Sequence, residues 1–250
     1  MKETSKNANK TKKGKIIPST KKRNYPKQKA QDASAKSAAF SEKKPKEQGR
    51  VYLKSGALLS PLPAVMVTVG DMEKPNIITI GWCGILSTDP PRAYISVRPS
   101  RYSHKLLKER GEFVMNVTTK DLAEATDYAG IYTGAKVDKF SVTGLTPVKS
   151  KEIAPPTIAE SPLALECRVF QVIESGTHDI FLADIVSVSC SEEILDNGRI
   201  RLDKAELLAY AHGEYFAVGA KIGKFGFSTD KDNKRKRAAE RNNREKKDKK

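Results

Sequence analysis

Cysteine is scarce in this 250-residue chain, and what is missing around it is informative. The three present, Cys83, Cys167 and Cys190, are an odd number and form no C-x-x-C pair. That spacing argues against a disulfide framework and fits a reducing compartment. No apolar run approaches the ~18–20 residues of a membrane span. Met1 is not followed by the apolar stretch of a signal peptide, and the N-terminal acids and Lys bias fit a transit peptide poorly. The expectation is a cytoplasmic protein with no membrane attachment. No His pair at helical spacing and no Cys/His cluster points to a metal, and no G-x-S-x-G points to a hydrolase elbow. The stretch Gly219-Ala-Lys-Ile-Gly223-Lys-Phe-Gly226 matches neither the dinucleotide fingerprint nor the phosphate loop, and no helical pattern follows it. It reads as a turn-rich end of a domain. Chemistry in such a chain rests on a cofactor.

Charge is present in quantity but is confined. The net charge is +16, yet residues 1–50 carry 16 Lys/Arg against 4 Asp/Glu, and residues 230–250 carry 11 against 5. Residues 51–229 are close to neutral, at net −2. The first 50 residues offer Phe40, Tyr25 and the pair Ile16–Ile17 as their main large apolar side chains, too little to offset backbone entropy. The expected organisation is a disordered Lys-rich tail over 1–50, one domain over 51–229, and a disordered basic tail over 230–250. The polycationic tails are expected to touch polyanions without sequence preference, since they lack interleaved aromatics and the middle lacks a basic excess. The run Lys234-Arg-Lys-Arg237 reads equally as a nuclear signal or as an ordinary basic tail.

The middle is rich in strand signals. Ala64–Gly70 and Asn76–Trp82 flank a turn at Glu73-Lys-Pro75, and Ala93–Val97 follows the stiff Asp89-Pro-Pro91 corner; the three read as a meander. A short helix follows, with Ser103 as its N-cap, Leu106 and Leu107 on its apolar face and Gly111 as its stop. Glu112–Val117 returns to strand, Asp121–Tyr128 is a second helix ending near Gly130, and Asp138–Phe140 is one helical turn in a loop. Two long strands, Leu163–Ile173 and Asp179–Ser189, are joined through Glu174–His178 as a hairpin. With few, short helices and no alternating βα units, the pattern favours a mainly β protein built as an antiparallel barrel.

Seven separated stretches, in one order, resemble the flavin reductase-like or flavoredoxin family of FMN-binding split barrels. They are Asn76–Trp82 with Ser87 and Asp89-Pro-Pro91; Ser96-Val-Arg98-Pro-Ser-Arg101-Tyr-Ser103; Glu112–Val117; Val137-Asp-Lys139-Phe140; Ala154–Glu160; Leu165-Glu166-Cys167; and Gly176-Thr-His178 with Phe181. The resemblance implies a split β-barrel with a few short helices, an FMN cofactor, NADH or NADPH as electron donor, and a homodimer. It implies a phosphate site at Arg101 and Ser103, where a guanidinium and a helix start suit an anion. Either residue can equally be a solvated loop charge or a simple cap. Thr79, Ile80, Gly81, Trp82 and Ser87 resemble the segment along the flavin ring, and Ser96 and Arg98 belong to the same family stretch as Arg101. Trp82 can equally be core. Lys139 resembles a loop lysine near the cofactor, or a solvated loop residue. His178 resembles a histidine on the nicotinamide side of the flavin, placed for positioning or proton management, and is the catalytic candidate. It can equally be a hydrogen-bonded histidine at a strand start. Cys83 reads as a small buried hydrophobe rather than a redox group, His104 as a helix-start residue, and His212 has no motif around it.

The resulting expectation is an FMN-dependent oxidoreductase that moves electrons from NAD(P)H through flavin to a further acceptor. Its rivals are a flavin-binding or sensing module without catalysis, and a flavoprotein associated with polyanions through its tails.

Overall fold

The computed structural model describes residues 51–229 continuously, together with Gly49, Arg235, Arg237 and Arg241. Apart from Gly49 and the helical Arg235, Arg237 and Arg241, the expected tails over 1–50 and 230–250 lie outside the described residues. In chain order the strands are β1 (Leu62–Pro63), β2 (Val65–Val69), β3 (Asn76–Ile80), β4 (Cys83–Thr88), β5 (Pro91–Val97), β6 (Glu112–Asn116), β7 (Pro147–Val148), β8 (Thr157–Ile158), β9 (Leu163–Ser175), β10 (His178–Cys190), β11 (Leu195–Asp196), β12 (Arg199–Ile200), β13 (Leu208–Ala211) and β14 (Glu214–Ala217). Within 51–229 three α-helices, α1 (Tyr102–Arg110), α2 (Ala123–Ile131) and α3 (Lys139–Thr143), interrupt them, with single 3-10 turns at Lys120–Leu122, Glu192–Ile194 and Leu202–Lys204. Among the described residues no helix is long and apolar enough to cross a membrane.

Seven strands form one antiparallel sheet in the order β3-β2-β6-β9-β10-β5-β4. The edges β3 and β4 are consecutive in sequence, separated only by Gly81–Trp82, yet they do not pair. The chain therefore crosses from one edge of the curled sheet to the other, and the barrel is split there. The expected meander of three strands is corrected. The Cys83–Thr88 segment, read as connection, is strand β4, and it is β4 and β10, not β3, that flank β5.

Why β2 and β3 read as near-continuous apolar runs follows from burial on both faces. Val65, Val67 and Val69 point with Ile78 and Ile80 into the main core, which also holds Phe113, Met115, Ile95 and Phe181. Met66 and Ile77 point the other way, into a second core with Leu122, Ala129 and Phe140 of the helical side. Polar groups on these covered faces are paired. Asn116, fully buried, donates to Met66 O at 3.0 Å and accepts from Ile158 N at 2.9 Å. Glu166 is also buried, and its carboxylate accepts from Lys151 N at 2.9 Å and Glu152 N at 2.8 Å. Glu166→Ala leaves both N–H groups without an acceptor. It is expected to destabilise the fold by about 2–4 kcal/mol, read as a lower urea midpoint at unchanged slope.

The first helix begins one residue pair earlier than anticipated. Its N-cap is Arg101, in extended conformation, and Ser103 lies inside the first turn, so the reading of Ser103 as N-cap is corrected. Gly111 is the stop, with φ 67° and its N–H on Leu107 O at 2.9 Å. A separate three-stranded sheet, β1-β13-β14, lies at the end of the fold and was not anticipated.

Candidate functional site

Where β3 ends and the sheet splits, the chain leaves a cavity of about 550 Å³. One side is the β3 exit, Thr79, Ile80, Gly81 and Trp82, with Ser96, Arg98, Arg101 and His178 alongside. Eight of the eleven residues singled out from sequence therefore line one space. Thr79 donates its hydroxyl to Thr126 O at 2.5 Å, which ties the β3 exit to α2. Ser96 N donates to Trp82 O at 2.9 Å, holding the β3–β4 crossing against β5.

Beside it, a smaller space of about 80 Å³ is lined by Arg101, Ser103, Gly134 and Lys139 among others. Lys139 is not a solvated loop residue. It is 4% exposed, and its Nζ donates to Ile77 O at 2.6 Å and Ala129 O at 2.7 Å. Burial, with a smaller push from the Arg101 guanidinium, lowers its pKa to about 8. Ser103 Oγ accepts from Asn76 Nδ2 at 2.7 Å, so its hydroxyl proton is available to a ligand. Gly134 is a residue that sequence reasoning passed over. A Cβ there would come within 1.8 Å of Asn76 Oδ1, so only glycine lets this loop close over the Asn76–Ser103 pair. The space thus combines a guanidinium, an ammonium, a hydroxyl and the free N–H groups of the α1 N-terminus, a donor set suited to a phosphate or another anion.

His178 opens β10 and packs its ring on Trp82, with centroids 4.7 Å apart and planes at 43°. Its Nδ1 lies 2.9 Å from Thr177 Oγ1. Partial burial first, and the Arg98 guanidinium second, hold its pKa below the usual value, so the ring is neutral at neutral pH. A neutral imidazole beside an indole can orient a planar ligand or exchange one proton, but carries no fixed charge.

The opposite wall was invisible to motif reasoning. It comes from β1, α2 and the β13–β14 hairpin, which bring Leu62, Asp127, Tyr210, His212 and Tyr215 to the cavity. Tyr210 and Tyr215 meet edge-on at 5.3 Å. Burial, together with the Asp127 carboxylate beside it, pushes the Tyr215 phenol up to about 12. The available signal was the pair His212-Gly213 between two short alternating runs. Both residues have positive φ, 51° and 93°, as a two-residue hairpin turn requires. The cavity is therefore cationic toward Arg98, Arg101 and Lys139 and carries a carboxylate at Asp127, with an apolar and aromatic lining between.

Ser87 does not join this group. It sits in neither cavity, beyond an irregularity in the β4–β5 pairing, and its hydroxyl donates to Asp89 O at 3.3 Å. Once past Trp82, β4 carries the chain away from the cavity. Cys83 is buried, and burial raises its thiol to about 12, so it is uncharged at neutral pH and has no cysteine partner.

The family model described as "Flavin reductase like domain" matches residues 58–219. Flavoredoxin of Desulfovibrio vulgaris (Miyazaki F) matches in structure with a TM-score of 0.66 and 33% identity, covering 70% of this chain and 96% of that one. An FMN-binding protein from Thermus thermophilus, solved with bound 1-cyclohex-2-enone, matches with a TM-score of 0.61 and 25% identity, covering 70% of this chain and 99% of that one. An uncharacterized protein of Archaeoglobus fulgidus is 38% identical over 138 residues, which is 55% of this chain and 77% of that protein.

Proposed function

This chain belongs to the flavin reductase like family, and on that premise we propose that it is an FMN-dependent oxidoreductase that moves electrons from NADH or NADPH to a further acceptor. Family membership supports a flavin-linked oxidoreductase. The single observation that carries the finer reading is the pairing of a cavity of about 550 Å³ with the adjoining cationic space. A ring-shaped ligand with an anionic tail fits that pairing. The flavin, when bound, supplies the two-electron carrier that accepts hydride from a reduced nicotinamide.

In this reading Arg101, Ser103 and Lys139 hold the phosphate, with the α1 N-terminus behind them. Backbone groups and small side chains of Thr79, Ile80 and Gly81 meet the polar edge of the ring, and Trp82 with Ile78 excludes water from its face. Ser96 and Arg98 border the ring, and His178 orients the nicotinamide or holds a proton on that side. Ser87 has no such role within one chain. A homodimer is supported by apolar side chains left exposed on β4, β9 and β10, namely Ile85, Leu86, Phe170 and Val188. A cytoplasmic location is in keeping with free, buried Cys83 and Cys167.

The test is direct. Protein as purified should show flavin bands near ~370 and ~450 nm, which bleach anaerobically on addition of NADH or NADPH. Bands that neither nucleotide bleaches would mean a flavin-binding module instead of an enzyme. No flavin binding at all would overturn the reading.

Two further outcomes follow from the phosphate assignment. Arg101→Ala with Ser103→Ala should weaken FMN by about 100-fold and riboflavin little, measured by calorimetry. Equal weakening of both would place the phosphate elsewhere. Lys139 is charged below about pH 8 and neutral above it. Its attraction for phosphate is therefore present below that pH and lost as pH rises through and beyond it. FMN affinity should fall on the order of 10-fold between neutral and strongly alkaline pH, while riboflavin affinity stays level.

A further inference from the structure

Strand β10 begins with two adjacent residues whose side chains leave the sheet on opposite faces. His178 faces the cavity, against Trp82. Asp179 faces α1 and is 7% exposed. Its carboxylate meets His104 Nε2 at 2.7 Å and Lys108 Nζ at 3.4 Å. His104 and Lys108 are one helical turn apart on α1, so one face of that helix is committed to a single carboxylate. The His104 ring also sits edge-on to Phe181, a fully buried core residue, at 5.5 Å. His104 is thereby held both by the core and by Asp179, which the reading of it as a helix-start residue did not anticipate.

The connectivity gives this joint its meaning. The helix that carries His104 also carries Ser103 and begins at Arg101, the cationic end of the site. The strand residue it grips is bonded to His178, at the other end. We propose that His104 and Asp179 form a positioning pair that holds the His178 ring on Trp82 and fixes that contact relative to the anion-binding turn of α1. The functional meaning rests on the flavin reading above; the structural statement does not.

Every polar group around the joint fits this role. Asp179 is opposed by His104 and Lys108 from α1, and its strand neighbours are Val97 of β5 and Glu174 of β9. Hydrogen bonding from His104, foremost among several causes, holds its carboxyl below the usual value. Around His178 stand Arg98, Thr177 and Trp82. Asp179 is thus ionised throughout the neutral range, and its grip would be lost only as pH falls through its depressed value. Without His104, the carboxylate keeps only the longer contact to the half-exposed Lys108, and the first residues of β10 lose their anchor to the helix.

The test uses the chain's small number of reporters. It has three histidines and one tryptophan, so a spectrum of the full-length protein labelled at histidine Cε1 contains three ring signals. The His178 signal, assigned by its loss in His178→Ala, should carry an upfield ring-current shift from Trp82 and titrate below the ordinary histidine value. His104→Ala should collapse that shift toward the value of a free histidine and move the titration back toward the ordinary one. His104→Gln keeps an Nε2–H donor at the same reach and should restore most of the shift. A His104→Ala protein that keeps both shift and titration would overturn the proposal. So would a collapse that His104→Gln fails to restore, which would assign the effect to packing on Phe181. If His104→Ala does not fold by circular dichroism, Asp179→Leu, which keeps the side chain's size and removes the acceptor, takes its place: collapse of the His178 shift supports the pair and retention of it overturns the proposal. Flavin content is read from the visible bands of the same samples. A flavin-free protein that shows the shift, its collapse and its rescue would support the pair while overturning the flavin reading.

Discussion

Binding of the full chain to an unrelated DNA duplex is expected to weaken by about 10³-fold or more between roughly 50 and 200 mM salt, through counterion release by its Lys-rich ends. The reason lies in where the charge is. Residues 1–50 are net +12, residues 230–250 are net +6, and residues 51–229 are net −2. If only about a third to a half of those tail charges meet phosphates, roughly 6–10 contacts form, and that number sets the steep dependence. A chain cut to 51–229 should show no such binding, because a near-neutral domain releases few counterions. It should keep its flavin, since every residue lining the two cavities lies between Ala57 and Tyr215. The measurement is affinity over a salt series for two unrelated duplexes, with and without tails. Discrimination between the duplexes, or salt-insensitive binding by 51–229, would remove the tails from the account. We assign them polyanion contact on charge alone, as a property separate from the chemistry of the domain.

The second large effect concerns His178. His178→Ala is expected to keep FMN bound and to slow flavin reduction by NAD(P)H on the order of 10-fold to 100-fold, the lower reach of positioning and acid–base effects. Retention of FMN is expected because the phosphate assignment uses Arg101, Ser103 and Lys139 and none of the His178 atoms. The loss in rate is expected because the ring stands at the cavity wall, neutral and tilted against Trp82, with Nδ1 already engaged by Thr177. That leaves Nε2 for a ligand. Anaerobic stopped-flow bleaching isolates this half-reaction from the acceptor. Full occupancy with wild-type bleaching would make His178 a structural residue and move the nicotinamide side to the Asp127–Tyr215 wall.

Much of the barrel was readable because its signals are local. β2, β3, β5, β6, β9 and β10 are each a run of β-branched or aromatic residues closed by Gly, Pro or a charged turn, and α1 is closed by Gly111. Those runs, with the order of the seven family stretches, sufficed for a mainly β split barrel. They also sufficed to select Thr79, Ile80, Gly81, Trp82, Ser96, Arg98, Arg101 and His178, which the fold brings to one cavity.

What the sequence could not determine depends on partners distant along the chain. Cys83–Thr88 has no strong period of its own and becomes β4 because β5 offers it an edge. Which strands flank β5 is a matter of sheet closure, and no residue between 76 and 97 records it. Lys139 reads as solvated in any window of its neighbours; it is buried because Ile77 and Ala129, 62 and 10 residues away, present their carbonyls to it. His104 looks like a helix-start decoration until the fold brings Asp179, 75 positions on, within 2.7 Å. The wall of Asp127, Tyr210 and Tyr215 likewise exists only where α2 and the β13–β14 hairpin converge. Sequence by itself determined β2, β3, β5, β6, β9, β10 and the short helices, the neutral middle and the charged ends. Tertiary structure alone decided which charges are buried and which residues face one another, because burial and pairing are set by whatever the folded chain places across the gap.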